Sequence, residues 1–241
     1  YDMKAAHENR DVMSFEEDGD RFSSYFLMPK TPDDLVKRME THRRIAEWSH
    51  GLLGRSPDHV SSFVTGLAMK PAMFEEIGEG FGDNIVNYYK YMRANDIFAC
   101  YTVLPPQGAR KPELYEREGM TVPTLRVTDE DDSGVTLNGM KMLGTSAIFS
   151  NETWVGNLLP LGPNQERESI TCAVPLNNQG VSIWSRKPLE KYAVTEFDNP
   201  LSWRFDESDA MVIFEDVKVP WEKVFVHNNT EMSRGIYVQS P

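Results

Sequence analysis

The chain has 241 residues, of which 40% are hydrophobic and 26% charged, and its formal net charge at pH 7 is −12. This balance is typical of a globular protein, and no run approaches the roughly 20 consecutive apolar residues that span a bilayer. The acidic excess argues against nucleic-acid binding, because such proteins neutralise phosphates with Lys and Arg. Cys100 and Cys172 are too few and too far apart for a disulfide framework, which favours a reducing cytoplasm.

The ends of the chain suggest a longer protein. The sequence starts at Tyr1 and shows no basic stretch followed by an apolar run and a cleavage site, so it predicts no signal peptide. Residues 233–241 carry no pattern of a stabilising element, and a helical layer on one side of a barrel would leave apolar surface uncovered. We therefore expect further chain beyond residue 241.

The first third of the sequence predicts helices. Residues 1–30 read as an arm that ends in a short extended segment, and Thr31-Pro32-Asp33-Asp34 has the hydroxyl, proline and carboxylates of a helix start. Helical spacing predicts one buried face, and Gly54 is expected to end the helix. That face consists of Leu35, Met39, Ala46, Ser49 and Leu53.

Two more helical regions follow. Ser56-Pro57-Asp58 repeats the starting signal, and the third region opens at Pro71, with three glycines loosening its middle. The buried face predicted for the second region consists of Val60, Phe63, Val64 and Leu67.

After residue 98 the periodicity becomes that of strands. Short apolar runs separated by turn residues predict strands at 98–104, 124–128, 135–143, 153–159, 169–174, 181–185, 201–205 and 211–214. Short strands of this kind indicate an antiparallel sandwich or barrel. The fold class is therefore α+β, with a mostly helical unit over 1–100 followed by a β-domain over 101–230.

Common catalytic and metal motifs are absent from the sequence. There is no Gly-x-Gly-x-x-Gly after a strand, P-loop, His-Glu-x-x-His, Cys-x-x-Cys or Gly-x-Ser-x-Gly. The five histidines show no spacing of metal ligands. These absences disfavour nucleotide hydrolysis, a Rossmann cofactor site, structural zinc and an α/β-hydrolase.

The segment GRSPDHV at 54–60 offers a subtler site. Arg55 precedes a helix start and His59 lies in its first turn, so both can face a helix N-terminus with its partial positive charge. This arrangement suits a phenolate, a peroxide or a carboxylate. The spacing alone favours the simpler alternative, a surface pair of Arg55 with Asp58 and a solvated histidine.

Other residues with functional potential also have ordinary structural explanations. Cys100 lies in a predicted buried strand, where cysteine usually acts as a small hydrophobe. The hydroxyls of Thr145 and Ser146 could bind a flavin or cap a turn. The aromatic residues around Trp203, together with Trp221, are expected in the core or at an interface.

Several segments resemble known flavoproteins. LNGMKMLGTSA (137–147) and FEDVKVPWEKVF (214–225), which usually leads to a C-terminal helical bundle, resemble the acyl-CoA dehydrogenase superfamily. Within it, AEWSHGLLGRSPDHV (46–60), the run reaching Pro105-Pro106, and NPLSWRFDESDAM (199–211) resemble the 4-hydroxyphenylacetate 3-hydroxylase family. The resemblance covers the chain from about residue 26 to its end, and it implies that residues 231–241 start a connection to a further helical domain.

The resemblance implies a two-component flavin-dependent monooxygenase. Its oxygenase component takes reduced FAD from a separate reductase, forms a C4a-hydroperoxide with O2 and hydroxylates a phenol beside its hydroxyl group. It further implies a homotetramer built largely by the C-terminal helices. The acidic charge and the lack of a long apolar run predict no nucleic-acid or membrane partner.

The resemblance also assigns site residues. Arg55 and His59 are the implied catalytic residues, and the substrate contacts are Arg55, Ser56, Pro57, Asp58, His59 and Cys100. The implied flavin contacts are Cys100, Tyr101, Thr102, Pro106, Gln107, Gly108, Ala109 and Thr145, and no metal site is implied. The segment 157–168 matches a variable loop over the substrate, which makes its Gly162-Pro163-Asn164 tip a candidate lid.

Two residues depart from the family pattern. His59 stands where 4-hydroxyphenylacetate enzymes carry tyrosine, and Cys100 stands where they carry a substrate-binding histidine. A histidine can accept the phenol proton near neutral pH, whereas a thiol cannot replace the imidazole donor. We therefore expect a phenol, and one that differs from 4-hydroxyphenylacetate.

Two alternatives remain at this point. The first is a flavin-dependent acyl-CoA dehydrogenase or dehydratase of the same fold, although two cysteines cannot supply the four thiolates of an iron-sulfur cluster. The second is a non-catalytic member of the fold that binds a partner. Titration of the intact protein with reduced FAD would distinguish this binding protein from the enzymes, because absence of flavin binding would favour the binding protein.

Overall fold

The computed structural model describes residues 8–51, 58–205 and 208–239. Its helices are α1 (Arg10–Met13), α2 (Pro32–Trp48), α3 (Asp58–Ala68), α4 (Pro71–Glu75), α5 (Phe81–Asn95), α6 (Pro112–Arg117), α7 (Pro200–Arg204) and α8 (Thr230–Val238). Its strands are β1 (Ser14–Glu17), β2 (Asp20–Ser23), β3 (Ala99–Thr102), β4 (Arg126–Asp131), β5 (Gly134–Lys141), β6 (Glu152–Val155), β7 (Thr171–Pro175), β8 (Val181–Ser185), β9 (Ala210–Pro220) and β10 (Val224–Val226).

Helix α2 begins where the sequence predicts. The Thr31 hydroxyl accepts a hydrogen bond from the Asp34 amide, and the Asp34 carboxylate accepts one from the Thr31 amide, so the two form a capping box. The helix ends at Trp48, and Ser49 caps it by donating its amide hydrogen to the Ile45 carbonyl. The predicted helix end at Gly54 lies outside the described residues.

The buried face predicted for α2 is largely wrong. Leu35, Met39 and Ala46 are exposed, and Leu53 lies outside the described residues. The buried members of the helix and its cap are Thr41, Ile45 and Ser49. The Thr41 hydroxyl donates to the Val12 carbonyl at 2.8 Å, so α2 packs towards α1 through a polar contact that hydrophobic spacing does not reveal.

The second and third helical regions follow the prediction closely. Val60, Val64 and Leu67 of α3 are buried, as expected, whereas Phe63 is half-buried. The third region is divided into α4 and α5, with Gly80 at φ 83° immediately before α5. Glycine adopts this left-handed conformation without the steric cost of a Cβ atom.

The strands form two four-stranded sheets and a small hairpin of β1 and β2. One large sheet has the order β4-β5-β9-β8 and is antiparallel throughout. The other has the order β10-β7-β6-β3, and its β3 and β6 are parallel, so the expected antiparallel arrangement holds for all pairs except this one. A parallel pair needs a long connection, which here is residues 103–151.

The sheet that contains β7 is buried on both faces. Cys172 and Val174 point into a core shared with the other large sheet, whereas Ala173 points into a core shared with the helices. Strand side chains alternate between faces, so β7 contributes to both cores. The described chain is therefore a stack of three layers, with α3 and α5 on one side of a β-sandwich.

Three predicted segments have a different conformation. The sequence predicts a strand at 201–205, but Pro200–Arg204 is helix α7. Pro200 occupies the first helical turn, where proline is favoured, and the alternation of Trp203 and Phe205 is too short to distinguish a strand from a helix. Trp203 has an exposed fraction of 49% and does not belong to the core. The N-terminal arm contains the β1–β2 hairpin, and the end of the chain contains α8.

None of the helices within the described ranges is long and apolar enough to cross a membrane.

Glu152 connects the helical layer to the sheet. Its carboxylate is buried and accepts hydrogen bonds from the hydroxyls of Tyr88 and Tyr91, both at 3.0 Å. The ammonium group of Lys223 lies 2.5 Å from the same carboxylate. Burial, followed by the charge of Glu152, raises the pKa of Tyr88 well above its usual range, so this hydroxyl stays a donor.

Lys141 connects the two large sheets. It is fully buried at the end of β5, and its ammonium group donates to the Gly156 carbonyl at 2.8 Å and to the Asn157 side-chain oxygen at 2.7 Å. The Asn157 amide continues the network to the Ser233 hydroxyl on α8. Burial lowers the pKa of Lys141 to about 7, against a weaker opposing effect of Cys172 and Glu168.

We predict that replacing Lys141 changes how stability depends on pH. The unfolded chain keeps the Lys141 proton to about pH 10.5, whereas the folded chain releases it near pH 7. Between these values the unfolded state binds more protons, so the free energy of unfolding should rise with pH. Lys141→Met should remove that rise in urea titrations from pH 7 to 9, whereas Lys90→Met, at an exposed site, should not. The same change in the free energy of unfolding with pH for wild type and Lys141→Met would disprove the lowered pKa.

We predict that the Glu152 cluster contributes strongly to stability. Glu152→Ala leaves a lysine and two tyrosine hydroxyls without their acceptor and should lower the free energy of unfolding by about 3 kcal/mol. Tyr91→Phe removes one hydrogen bond and should cost about 1 kcal/mol. As a control, Glu40→Ala breaks the exposed pair with Arg43 and should cost well under about 1 kcal/mol. Equal losses for Glu152→Ala and Glu40→Ala in urea unfolding would contradict this role.

Candidate functional site

A cavity of about 260 Å³ opens where the first turn of α3, strand β3 and the segment after β5 meet. Most of its lining is apolar. The lining residues are His59, Val60, Phe98, Ala99, Cys100, Tyr101, Val103, Leu104, Met142, Leu143, Thr145, Leu158 and Asp209. The cavity thus brings together four predicted site residues, His59, Cys100, Tyr101 and Thr145.

His59 lines this cavity and has an exposed side chain. It is the second residue of α3, and its exposed imidazole meets the ring of Tyr101 edge to face at 5.0 Å between centroids. The predicted contacts Arg55, Ser56 and Pro57 lie outside the described residues. Only the backbone of Asp58 is described, as the first residue of α3.

An aromatic cluster lies behind His59. Tyr101 is flanked by Phe63 at 6.0 Å and by Tyr237 at 5.9 Å, both edge to face. Phe63 and Tyr237 stack on each other at 5.2 Å. The aromatic surface that the His59 imidazole contacts is therefore formed and supported by residues of α3, β3 and α8.

The two tyrosines of this cluster are neutral phenols. Burial raises the pKa of Tyr101 far above its usual range, and the hydrogen bond to Tyr237 adds to the effect. Burial likewise raises the pKa of Tyr237, against hydrogen bonds from Trp154 and Tyr101. Neither hydroxyl can serve as a base near neutral pH, so among the described lining residues the groups suited to proton transfer are the His59 imidazole and the Asp209 carboxylate.

Cys100 is part of the β-sandwich core. Only 3% of its surface is exposed, although it contributes to the cavity wall. Burial raises the pKa of its thiol to about 11, with hydrogen bonds from Thr153 and Ser150 opposing the shift. The thiolate is the reactive form of cysteine, so this residue is unsuited to nucleophilic chemistry.

Thr145 lies in a conformationally unusual turn after β5. Leu143 and Ser146, on either side of it, have φ values of 61° and 64° in the left-handed region that most side chains avoid. The Thr145 hydroxyl donates a hydrogen bond to the carboxylate of Asp209 at 2.6 Å. Non-glycine residues in this region often occur at functional sites, where the surrounding structure compensates for the strain.

The other predicted flavin contacts lie apart from the cavity. The Thr102 side chain is buried and its hydroxyl meets that of Thr153 at 2.7 Å, so it faces the interior. Pro106, Gln107, Gly108 and Ala109 follow in a partly exposed turn that contributes no cavity-lining residue. In this turn, a Cβ atom on Gly108 would come within 2.3 Å of the Tyr115 hydroxyl, so a larger residue there requires the Tyr115 side chain to move.

The predicted lid contributes one residue to the cavity. Leu158 lines it and donates its amide hydrogen to the Val103 carbonyl at 3.3 Å, which holds the start of the loop beside β3. Asn157 anchors the same end through Lys141 and by donating to the Glu168 carbonyl at 2.8 Å. The tip is closed by a hydrogen bond from the Gly162 amide to the Gln165 side chain.

Sequence reasoning missed two polar residues of this region. Lys141 could have been found, because it shares strand parity with the buried Val135 and Leu137 of β5. Asp209 carries no such signal, since its contact with Thr145 joins residues 64 positions apart. Among the described residues, no group of three or more His, Cys, Asp or Glu side chains could hold a metal ion.

Comparison with known proteins places the chain in a family. The family model described as 4-hydroxyphenylacetate 3-hydroxylase N terminal matches residues 1–226. The 4-hydroxyphenylacetate 3-monooxygenase oxygenase component of Thermus thermophilus is 31% identical over 237 residues, which cover 98% of this chain and 48% of the relative. The FADH2-dependent monooxygenase TftD of Burkholderia cepacia is 30% identical over 241 residues, covering 97% and 46%.

Solved structures confirm the fold. The HpaB oxygenase component complexed with FAD and 4-hydroxyphenylacetate superposes with a TM-score of 0.85 and 31% identity, over 99% of this chain and 48% of that one. A glutaryl-coenzyme A dehydrogenase, 12% identical, aligns with a TM-score of 0.51 over 88% of this chain and 45% of that one, which supports the acyl-CoA dehydrogenase-like fold. The chain spans about half the length of the curated relatives it matches. On the match over residues 1–226, the chain belongs to the 4-hydroxyphenylacetate 3-hydroxylase family.

Proposed function

We propose that this chain forms the catalytic half of an oxygenase that hydroxylates a phenol with reduced FAD and O2. The observation that carries the proposal is the cavity in which His59 meets three residues predicted to contact substrate or flavin, Cys100, Tyr101 and Thr145. Relatives of about 30% identity act on phenols or use FADH2, according to their names. The net reaction converts phenol, O2 and FADH2 into the hydroxylated phenol, water and FAD.

The cavity fits a flavin ring in its chemistry. Its walls are apolar except for a few groups that can hydrogen-bond, as cofactor sites usually are. Thr145 and the backbone of β3 would hold the ring, and reduced FAD, when bound, supplies the two electrons that activate O2. The apolar lining, including Leu143 and Leu158, would limit access of water to the reacting groups.

His59 and Arg55 have distinct proposed roles. The imidazole of His59 accepts the phenol proton, which makes the ring more electron-rich at the position to be hydroxylated. The guanidinium of Arg55, four residues earlier, binds the phenol oxygen and stabilises the negative charge that develops there. Tyr101 keeps the His59 ring in place through their edge-to-face contact.

The proposed protein has further components. A separate reductase would supply FADH2, and the intact protein would be a homotetramer, as the family resemblance implies. Unpartnered apolar side chains on the described surface, such as Leu35, Met39 and Trp184, support an additional packing partner. A cytoplasmic location is supported by the two free, buried cysteines.

The proposal predicts hydroxylation that depends on reduced FAD. The intact protein, given FADH2 and ¹⁸O2, should place one ¹⁸O atom on a phenol, measured by mass spectrometry across 4-hydroxyphenylacetate, 4-nitrophenol and 4-chlorophenol. Arg55→Ala should lower kcat/KM by about 100-fold. His59→Phe should lower it by a similar factor and shift full activity to higher pH, because solvent must then remove the phenol proton.

His42→Ala is the matched control for these variants. His42 lies on α2 and does not line the cavity, so its loss should leave kcat/KM unchanged. Product formation that is unaffected by both Arg55→Ala and His59→Phe would disprove the assigned roles. Absence of flavin binding by the intact protein would instead favour a non-catalytic binding protein.

The structure also predicts unreactive thiols. Burial raises the pKa of Cys172 to about 12 and that of Cys100 to about 11, so neither forms much thiolate at pH 8. Ellman's reagent should modify neither cysteine within minutes in the native protein and both after unfolding in urea. Cys172→Ala isolates the signal of Cys100, and rapid native labelling of that variant would point to thiol chemistry at the cavity.

A further inference from the structure

The hydrogen bond between Thr145 and Asp209 is fixed by backbone contacts around it. The Gly144 amide donates to the Ala210 carbonyl at 2.9 Å, and the Ala210 amide donates back at 3.1 Å. The Ser146 amide donates to the Ser208 carbonyl at 2.7 Å. These bonds lie on both sides of the pair and hold the turn after β5 against the start of β9.

The chemistry of the two side chains determines the direction of this bond. A carboxylate only accepts hydrogen bonds, whereas a hydroxyl has one proton and two lone pairs. At 2.6 Å the contact has the length of a charge-assisted O–H···O⁻ bond, so the Thr145 proton is directed to Asp209. Any other group that bonds to this oxygen must therefore donate a hydrogen to it.

The flavin ring has different hydrogen-bond donors and acceptors in its oxidised and reduced states. Two-electron reduction adds a hydrogen to a ring nitrogen that only accepts hydrogen bonds in the oxidised form. A hydroxyl that can only accept matches the reduced nitrogen and leaves the oxidised one facing another acceptor. Such a mismatch between buried polar groups weakens binding.

We infer that Asp209 is a positioning residue that makes Thr145 a hydrogen-bond acceptor and thereby selects reduced over oxidised flavin. The inference rests on the proposed function, since it requires the flavin ring to bind beside Thr145. It gives a role to Asp209, which the proposed reaction does not otherwise use. A protein that receives FADH2 from a separate reductase and releases FAD benefits from this preference.

The test compares dissociation constants of FADH2 and FAD, measured anaerobically and aerobically by fluorescence, in the intact protein. Wild type should bind FADH2 more tightly. Asp209→Ala frees the Thr145 proton to face the oxidised nitrogen and should reduce the preference about tenfold, which lowers the midpoint potential of the bound two-electron couple by about 30 mV. Thr145→Ser keeps the hydroxyl and should retain the preference.

A double-mutant cycle separates this role from a structural one. Thr145→Val removes the acceptor and should itself reduce the preference, and Asp209→Ala should then have no further effect. An unchanged ratio of dissociation constants in Asp209→Ala, or an equal change in the Thr145→Val background, would overturn the inference alone. Failure of wild type to bind flavin in either state would overturn the proposed function and the inference together.

Discussion

The arrangement of the site depends on the packing of one residue, Trp154. It is fully buried on β6, stacks on Phe225 of β10 at 4.8 Å, and meets Phe63 of α3 edge to face at 5.8 Å. Its indole nitrogen donates to the Tyr237 hydroxyl at 3.2 Å. Because α3 carries His59 and α8 carries Tyr237, this indole sets the position of both helices relative to the sheet. Gly156 lies so close that a Cβ atom there would be 1.9 Å from the Tyr237 hydroxyl.

The double burial of the central sheet explains its polar connections. A strand covered on both faces cannot direct a charged end group to water, so every buried charge needs partners within the protein. Glu152, on β6 of this sheet, accepts hydrogen bonds from two tyrosine hydroxyls and contacts an ammonium group. Lys141, on β5 of the other large sheet, donates to two oxygen atoms of the segment that follows β6. The first connection attaches the helical layer, and the second attaches the loop that begins at the cavity. Both therefore contribute to specific geometry, and the Glu152 cluster contributes to stability as well.

Local sequence signals predicted where most helices and strands lie. They could not predict which face of an element is buried, because burial depends on contacts with distant parts of the chain. The start of α2 was predictable because a capping box lies within four residues. Its buried face was not, because helical spacing identifies an apolar stripe without revealing what covers it, and Leu35 is 57% exposed. The prediction of a strand at 201–205 was wrong for a related reason. A pattern of five residues fits a helical turn that begins at Pro200 as well as it fits a strand.

The same division applies to the site. His59, Cys100 and Thr145 came from the family resemblance, and the structure places them around one cavity. Asp209 was missed because only tertiary folding brings the start of β9 to the turn after β5. Arg55, the residue most central to the resemblance, lies outside the described residues, so its role stays a prediction.

The left-handed pair Leu143 and Ser146 has a consequence for evolution of the protein. Each such residue carries about 1–2 kcal/mol of backbone strain that glycine would relieve. A stability screen would therefore favour glycine at position 143, yet that change would also delete an apolar lining group and loosen the turn that orients Thr145. Under the proposed function, selection for thermostability and selection for turnover should therefore favour different residues at this position.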